Sequence, residues 1–312
     1  MSRLEEIVSA KLALCPKEAA EPFLSLLAAK LGERASGIVL YGSCLNPATR
    51  SESSIPDFYV VVPNYCQFYG SISQALLNWF LPPSIFHVRA GERDAKYSVI
   101  SEKDLKRETS PRARDVYHLG RFSKRIAIGW ARDESARLFL ASRQVSAMRA
   151  VAQRVYFSLP ETFSISDLVL QALNLSYLGE FRVEATDKVD RLYEAEKDYY
   201  DAAFGAALEE MSSAPWNVTY DSASRVYRRP RRTSFDLWGR YRLSRFLRRS
   251  RWRAKLRWPK GIITVPNWLD YLLAKIERTH GIKIELSEKE RQHIFIYGWK
   301  YFFHLRRKKV LR

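Results

Sequence analysis

Residues 38–62 read IVLYGSCLNPATRSESSIPDFYVVV, two short apolar runs separated by a polar loop. The first run ends at a Gly-Ser pair, and the second follows a single acid, Asp57. Each run has the length and the β-branched content of a buried strand, so we predict strands over 37–41 and 57–62. Burying a carboxylate is costly unless a cation or a hydrogen-bond donor compensates it, so Asp57 indicates a bound metal or a charged partner.

The Gly42-Ser43 pair and Asp57 together have a specific chemical use. Glycine lets a phosphate approach the backbone, serine and the following amides donate hydrogen bonds to it, and an adjacent aspartate can hold Mg²⁺ against it. This pattern resembles the nucleotidyltransferase superfold, although that fold has Asp-x-Asp where this chain has Asp57 and Tyr59. The alternative interpretation is a structural turn in which Asp57 caps a loop.

Helical and strand patterns alternate after the first two strands, and helical patterns dominate later in the chain. Scattered cysteines and unpaired histidines predict neither a disulfide framework nor a zinc site. Serines stand at two helix starts, where Ser164 or Ser166 can cap one helix and Ser287 with Glu290 forms a capping-box pattern. The predicted elements are a helix near 71–80, a strand pair at 85–100, helices at 103–118, 133–157, 165–178 and 266–279, and a hairpin within 179–189.

The formal net charge of the 312 residues is +18, and most of it lies in one segment. Residues 225–260 contain fifteen Lys or Arg and one acid, Asp236. Such a segment attracts polyanions, chiefly nucleic acid or an anionic membrane surface. No apolar run is long enough to span a membrane, and acids in the first 30 residues argue against a signal peptide, so we expect a cytoplasmic protein.

Five separated motifs, in order over roughly residues 35–210, resemble the mitochondrial-type phosphatidate cytidylyltransferases. These are the peripheral CDP-diacylglycerol synthases, also called translocator assembly and maintenance proteins. Members of this family also lack the second strand acid, so Tyr59 fits it. The motifs are YGSCLNPATRSESSIPDFYVVV at 41–62, KYSVIS at 96–101, LGRFSKRI at 119–126, LPETFSISDL at 159–168 and LSYLGEFRVEATDK at 175–188.

The resemblance implies an Mg²⁺-dependent reaction in which CTP and phosphatidic acid give CDP-diacylglycerol and pyrophosphate. By position in the motifs, Gly42 and Ser43 would bind the CTP phosphates, and Asp57 and Glu180 would hold the metal. Glu180 stands where the family has aspartate, and Glu92 or Asp94 is the alternative second acid, although both lie in a predicted hairpin turn. Cations at positions of the family motifs would neutralise the phosphates. The resemblance implies a catalytic role for Lys96 and a role in phosphate binding for Arg121, Lys124, Arg182 and Lys188.

The C-terminal region combines aromatic and basic residues. Trp238, Trp252 and Trp258 lie among the arginines, and residues 293–309 form an aromatic helix pattern that ends in basic residues. Rings and cations together favour the lipid headgroup zone, which predicts peripheral attachment to the inner face of a membrane. A nucleic-acid-binding surface is the less favoured alternative, and a solvated basic linker followed by a core helix is the third.

We therefore predict an α+β protein with three regions. Residues 1–130 form a nucleotidyltransferase-like domain, residues 131–222 a mostly helical or winged-helix domain, and residues 223–312 a membrane-associating region. The expected function is synthesis of CDP-diacylglycerol from CTP and phosphatidic acid at a membrane. Two alternatives remain: a nucleic-acid-binding protein with a degenerate nucleotidyltransferase core, and a nucleotidyltransferase with a different phosphate acceptor.

Overall fold

A computed structural model of the protein describes residues 1–45, 55–179, 187–231 and 233–264, with single residues and short segments between 269 and 301. Helices make up most of this part of the chain. They are α1 (Arg3–Leu12), α2 (Lys17–Leu31), α3 (Tyr65–Tyr69), α4 (Ile72–Phe80), α5 (Glu102–Glu108), α6 (Val116–Phe122), α7 (Glu134–Val155), α8 (Ile165–Leu178), α9 (Asp187–Ala195), α10 (Lys197–Glu209), α11 (Thr233–Thr264) and α12 (Glu288–Gln292).

A five-stranded sheet in the order β3-β4-β2-β1-β5 forms the centre of the fold. Strand β2 is its middle strand, antiparallel to β1 and parallel to β4. After its first residue β2 is buried throughout, which explains its continuous apolar run. The strands are β1 (Gly37–Tyr41), β2 (Asp57–Val62), β3 (Ser84–Ala90), β4 (Arg93–Ser101) and β5 (Ile126–Ala131), and a second sheet contains β6 (Thr162–Phe163), β7 (Thr219–Asp221) and β8 (Val226–Arg228).

Helices cover both faces of the central sheet. On one face, Phe23 of α2 packs on Phe58 of β2, with 6.2 Å between the ring centroids. On the other face, Tyr59 of β2 belongs to a larger core that includes Leu119 of α6 and Met148 of α7. This mixed arrangement confirms the predicted α+β class.

Most of the predicted elements near the opening motif are present. Both strands have the predicted bounds, and the helix near 71–80 and the following strand pair are confirmed. Ser164 caps α8 by accepting a hydrogen bond from the backbone of Asp167, and Ser287 and Glu290 form the predicted box at α12. The division into three regions stays a prediction.

Other predictions are wrong or fall outside the described residues. The segment predicted as a single helix over 103–118 forms two helices. The Glu108 carboxylate accepts a hydrogen bond from the backbone N–H of Arg114, in the loop between them. Asp115 then caps the start of α6 by accepting a hydrogen bond from the backbone N–H of Tyr117. Strand β5 lies between the helices predicted at 103–118 and 133–157, in a stretch for which no strand was predicted. The predicted hairpin does not extend to residue 189, because α9 begins at residue 187. Residues 180–186 of the predicted hairpin lie outside the described residues. The helices predicted at 266–279 and 293–309 also lie largely outside them.

From Thr233 onward the basic segment forms a long helix, α11, and is not a linker. One side of α11 packs against the protein, where Phe246 enters the main core and Ser250 donates a hydrogen bond to the carbonyl of Gly179. Gly239 lies so close to Phe157 that a Cβ atom there would be 2.0 Å from the ring. Only glycine allows this approach, so α11 is fitted to the surface beneath it.

A fully buried carboxylate, Asp115, holds α11 through two arginines. Arg253 pairs with its Oδ2 atom, and Arg257 Nη2 lies 2.7 Å from the same oxygen. Further along the helix, Lys260 Nζ donates to the side chain of Asn78 and to the carbonyls of Leu81 and Pro83, at 2.7–2.9 Å. Part of the positive charge of the segment therefore fixes the fold.

The ion pairs of Asp115 predict how stability depends on pH. Burial alone would raise the pKa of Asp115, but Arg257 and Arg253 hold it well below its ordinary value. Because the folded-state pKa lies below the unfolded value of about 3.9, this stabilisation is complete above that pH and is lost as the pH falls below it.

Replacing Asp115 by Asn should lower the free energy of unfolding by about 3–5 kcal/mol at pH 7, because two largely buried arginines lose their counterion. Denaturant titrations at pH 7 and pH 3 should show this difference shrink in acid. Asp94→Asn is the control, since its exposed pair with Arg89 contributes only about 0–1 kcal/mol. An equal difference at both pH values would contradict the assigned role of Asp115.

Candidate functional site

Asp57 lies in a row of polar residues that crosses one end of the sheet. It is in register with Tyr41 on β1 and Lys96 on β4, and Lys96 is in turn in register with His87 on β3. Residues in register on neighbouring strands share a face, so the carboxylate stands between a phenol and an ammonium group. The backbone N–H of Lys96 also donates to the carbonyl of Pro56, at 3.0 Å. The sheet therefore brings the predicted residues Asp57 and Lys96 together.

The Gly42-Ser43 turn lies directly beside this carboxylate. Gly42 has a φ of +87°, a conformation that favours glycine, and a Cβ atom there would be 3.6 Å from Oδ2 of Asp57. Ser43 then begins a single helical turn that ends at Leu45. Gly42 and Ser43 therefore adjoin Asp57 as the motif predicts, while the loop over 46–54 lies outside the described residues.

Helix α6 places a guanidinium group near the same end of the sheet. Arg121 stacks 3.6 Å from the ring centroid of Tyr117 and 5.9 Å from that of Tyr41, and its Nη1 donates to the carbonyl of Tyr117 at 2.7 Å. Burial raises the pKa of Tyr41 far above its ordinary value, and Asp57 and Tyr117 raise it further, so its phenol stays protonated. The predicted residue Arg121 thus adjoins the row through Tyr41.

The long basic helix also reaches this site. The guanidinium group of Arg257 lies 4.5 Å from the ring centroid of Tyr117, so this ring contacts one arginine from α6 and one from α11. Sequence reasoning missed Tyr117 and Arg257. The spacing of Tyr117 and Arg121 at i and i+4 was a usable signal, whereas nothing local marks Arg257 among its fourteen basic neighbours in 225–260.

Tyr59 occupies the position of the second acid in the general superfold, and it belongs to the core. Its side chain is fully buried, 5.3 Å from the ring of Phe122 between centroids, and its hydroxyl lies 3.1 Å from Nδ1 of His118. Burial, together with Arg257, lowers the pKa of His118 well below its ordinary value. A carboxylate at position 59 would face this buried contact, so the site has one acid on β2.

Glu92 and Asp94, the alternative second acids, lie at the β3–β4 turn as predicted. Asp94 is already engaged by Arg89, with Nε–Oδ1 and Nη2–Oδ2 distances of 2.9 and 3.2 Å. The hydrogen bonds from Arg89 lower the pKa of Asp94. This exposed ion pair across the hairpin accounts for an acid at position 94 without a bound metal.

The remaining predicted site residues belong to the α6–α8 region or lie outside the described residues. Lys124 Nζ lies 4.2 Å from the ring centroid of Tyr177, and the Lys124 carbonyl accepts a hydrogen bond from Gln144 at 2.7 Å. Glu180 and Arg182 lie outside the described residues, as does the side chain of Lys188 at the start of α9. Their roles stay predictions.

Metal binding is compatible with the described residues. They contain no group of three or more His, Cys, Asp or Glu side chains that would hold a metal without help. Mg²⁺ often takes only one or two protein carboxylates and completes its shell with substrate phosphates and water. A half-buried Asp57 beside an open glycine backbone fits such a site.

Comparison with known proteins places the chain in a family. The sequence model of the family described as "Phosphatidate cytidylyltransferase, mitochondrial" matches residues 79–240. The protein of that name from Xenopus laevis is 31% identical over 116 residues, which are 36% of this chain and 33% of that protein. The chain thus spans about a third of the length of this curated relative, and Gly42, Ser43 and Asp57 precede the range matched by the family. Because that range covers more than half of the 312 residues, the chain belongs to the mitochondrial phosphatidate cytidylyltransferase family.

Proposed function

We propose that the protein transfers the cytidylyl group of CTP to phosphatidic acid and releases pyrophosphate. A phosphate oxygen of phosphatidic acid attacks the α-phosphorus of CTP, and the bond between the α- and β-phosphates breaks. The observation that carries this proposal is the row at the end of the sheet, where Asp57 stands beside Lys96 and the Gly42-Ser43 turn. The choice of CTP and phosphatidic acid as substrates rests on membership of the family.

The proposed roles follow from the charge that the reaction creates. Negative charge grows on the phosphate oxygens in the transition state, and fixed cations stabilise it. Lys96 lies next to Asp57 in register and is proposed to act on the α-phosphate, while the Gly42-Ser43 backbone binds the other phosphates. Arg121 is oriented by its contact with Tyr117 and neutralises the triphosphate. Further charge neutralisation is proposed for Lys124, Arg182 and Lys188.

Asp57 and Glu180 are proposed to hold Mg²⁺, which would neutralise phosphate charge during transfer. Asp57 supplies one hard oxygen ligand at the strand end, as Mg²⁺ prefers. The buried ion pairs of Asp115 support the site indirectly, because they place Arg257 against Tyr117 and so help to fix Arg121.

The exposed side of α11 is proposed to lie on an anionic membrane. Large apolar residues are exposed there, and basic residues lie between them at helical spacing. None of the helices in the described part of the chain is long and apolar enough to cross a membrane. Rings and cations on one helix face suit the headgroup layer. This lipid-facing side contains Leu237, Arg248, Arg251, Trp252, Lys255 and Leu256.

Replacing Asp57 by Asn should abolish cytidylyl transfer with little effect on thermal unfolding, because it removes a metal-binding charge without changing side-chain size. Transfer is measured as labelled CDP-diacylglycerol formed from labelled CTP, Mg²⁺ and vesicles of phosphatidic acid. Asp94→Asn, the same change in an exposed residue of the same sheet, should keep its activity. Near-normal turnover of the Asp57 variant at saturating Mg²⁺ would refute the proposed site.

Replacing Glu180 by Gln should also reduce transfer strongly, because the metal would lose its second carboxylate. The diagnostic measurement is the Mg²⁺ concentration needed for half-maximal activity, which should rise. A Glu180 variant with unchanged rate and unchanged Mg²⁺ requirement would move the second ligand to Glu92, since Arg89 already engages Asp94, and Glu92→Gln would then test that position.

The membrane proposal is tested by changing the lipid-facing side without removing α11, because that helix contributes to the core. The double variant Trp252→Ser/Leu256→Ser should bind vesicles of phosphatidic acid at low salt and should be released from them completely at high salt. Wild-type protein should be released only partly, because salt screens the charges and leaves the apolar contribution. Sedimentation with vesicles gives both values.

Leu138→Ser on α7 is the control, since Leu138 is as exposed as Trp252, at 62%. It should behave as the wild type does. If the double variant kept the salt resistance of the wild type, the lipid-facing side would be wrongly assigned. Failure of the wild type to sediment at low salt, together with tight binding of single-stranded RNA, would favour a nucleic-acid partner.

A further inference from the structure

A cavity of about 670 Å³ lies between α11, the end of α7 and the loop over 111–113. This volume is within the range of small-molecule sites, about 300–1,000 Å³. None of the residues proposed for cytidylyl transfer lines it. It is therefore a separate feature of the basic helix and needs its own explanation.

Positive charge dominates the lining of this cavity. No acidic residue is present among its described lining residues, and within the described chain none of the lining arginines forms an ion pair with a carboxylate. Two of them are held by main-chain carbonyls instead: Arg154 donates to Pro111 at 2.9 Å and Arg249 to Ala113 at 3.1 Å. The arginines are Arg112, Arg154, Arg242, Arg245 and Arg249.

Arg154 shows that this charge is not compensated. Burial first, and then the like charges of Arg242 and Arg249, lower the pKa of Arg154 to about 10. Its Nε atom is buried and has no hydrogen-bond partner. Its guanidinium group lies 4.4 Å from the ring centroid of Phe246. Because like charges repel and a buried donor without a partner is costly, an anion in the cavity would relieve both penalties.

The rest of the lining is aromatic. Trp238 and Tyr241 are more than half exposed at the cavity, and the guanidinium group of Arg242 lies 4.4 Å from the ring centroid of Trp238. The buried Phe157 and Phe246 and the partly buried Trp216 complete the aromatic lining. A ligand that fits this lining combines an anionic group with an apolar body.

We propose that the cavity binds the phosphate headgroup of an anionic phospholipid, at a site separate from the one at which cytidylyl transfer takes place. The choice of a lipid over another anion rests on the proposed function. Trp238 and Tyr241 lie on the same exposed side of α11 as Trp252, so a membrane that contacts Trp252 would present lipid phosphates to the cavity.

The test uses a soluble anionic lipid that is no acceptor for the reaction. Dihexanoyl-phosphatidylglycerol carries a phosphodiester and lacks the free phosphate that cytidylyl transfer needs. Its binding to the full-length wild-type protein is measured by calorimetric titration below the micelle concentration. Dihexanoyl-phosphatidylcholine tests the need for net charge, and inorganic phosphate tests the need for an apolar body.

Arg242→Gln/Arg245→Gln should weaken binding of the phosphatidylglycerol at least about tenfold, because charge-assisted hydrogen bonds are lost. Arg132→Gln/Arg137→Gln removes the same charge from an exposed surface outside the cavity and outside the lipid-facing side, and should leave this affinity within about twofold, since it removes only a screened surface attraction. Phosphatidylcholine and inorganic phosphate should bind wild-type protein at least about tenfold more weakly than phosphatidylglycerol.

Four results would overturn the inference: no saturable binding by wild-type protein, equal losses in the two double variants, inorganic phosphate binding as tightly as the lipid, or a single-stranded oligonucleotide displacing the lipid at lower concentration. Transfer to soluble phosphatidic acid, measured on the same wild-type preparation, separates this inference from the proposed function. Lipid binding without transfer would support the proposed lipid site and refute the proposed enzyme activity. Transfer without lipid binding would refute the cavity alone.

Discussion

The buried carboxylate of Asp115 connects the basic helix to the rest of the protein. A charge without solvent is costly, and here two guanidinium groups from α11 and a backbone amide of α6 compensate it. The same contacts place Arg257 on the ring of Tyr117, which also carries Arg121. The ion pairs of Asp115 therefore position α11 and, through Tyr117, Arg121 of the proposed site. Because α11 also lines the neighbouring cavity, they help to position that lining too.

This arrangement divides the positive charge of 225–260 into two sets. On the inner side of α11, Arg253 and Arg257 pair with Asp115 and Lys260 donates to protein oxygens, so they serve the fold. On the outer side, cations alternate with exposed tryptophan and leucine, and this is the side proposed to face the membrane. The total charge alone does not distinguish the two sets, because only the docking of the helix decides which side of it is covered.

Local patterns predicted the part of the site that depends on neighbouring residues. The two apolar runs around the Gly42-Ser43 turn form adjacent strands, so Asp57 lies where the sequence placed it. The family motif implied that Lys96 lies at the site, and its register beside Asp57 agrees with that position. The cap at Ser164 was likewise local and was predicted.

Long-range contacts account for what sequence reasoning missed. Residues 103–118 have a continuous helical pattern, but α5 ends at Glu108 and α6 begins only after Asp115, whose carboxylate serves both the α6 cap and the arginines of α11. Strand β5 is a short apolar run, which periodicity cannot separate from a buried helix. Arg257 meets Tyr117 across 140 residues of chain, a pairing that no local signal specifies.

The most direct test of the account is the fate of the CTP phosphates. CTP labelled at the α-phosphate or at the γ-phosphate is incubated with the full-length protein, Mg²⁺ and vesicles of phosphatidic acid, and the lipid and aqueous products are separated. The proposed reaction leaves the α-label in the lipid as CDP-diacylglycerol and the γ-label in pyrophosphate, in equal amounts. Transfer of α-label to RNA or to a water-soluble acceptor, with none in the lipid, would contradict it.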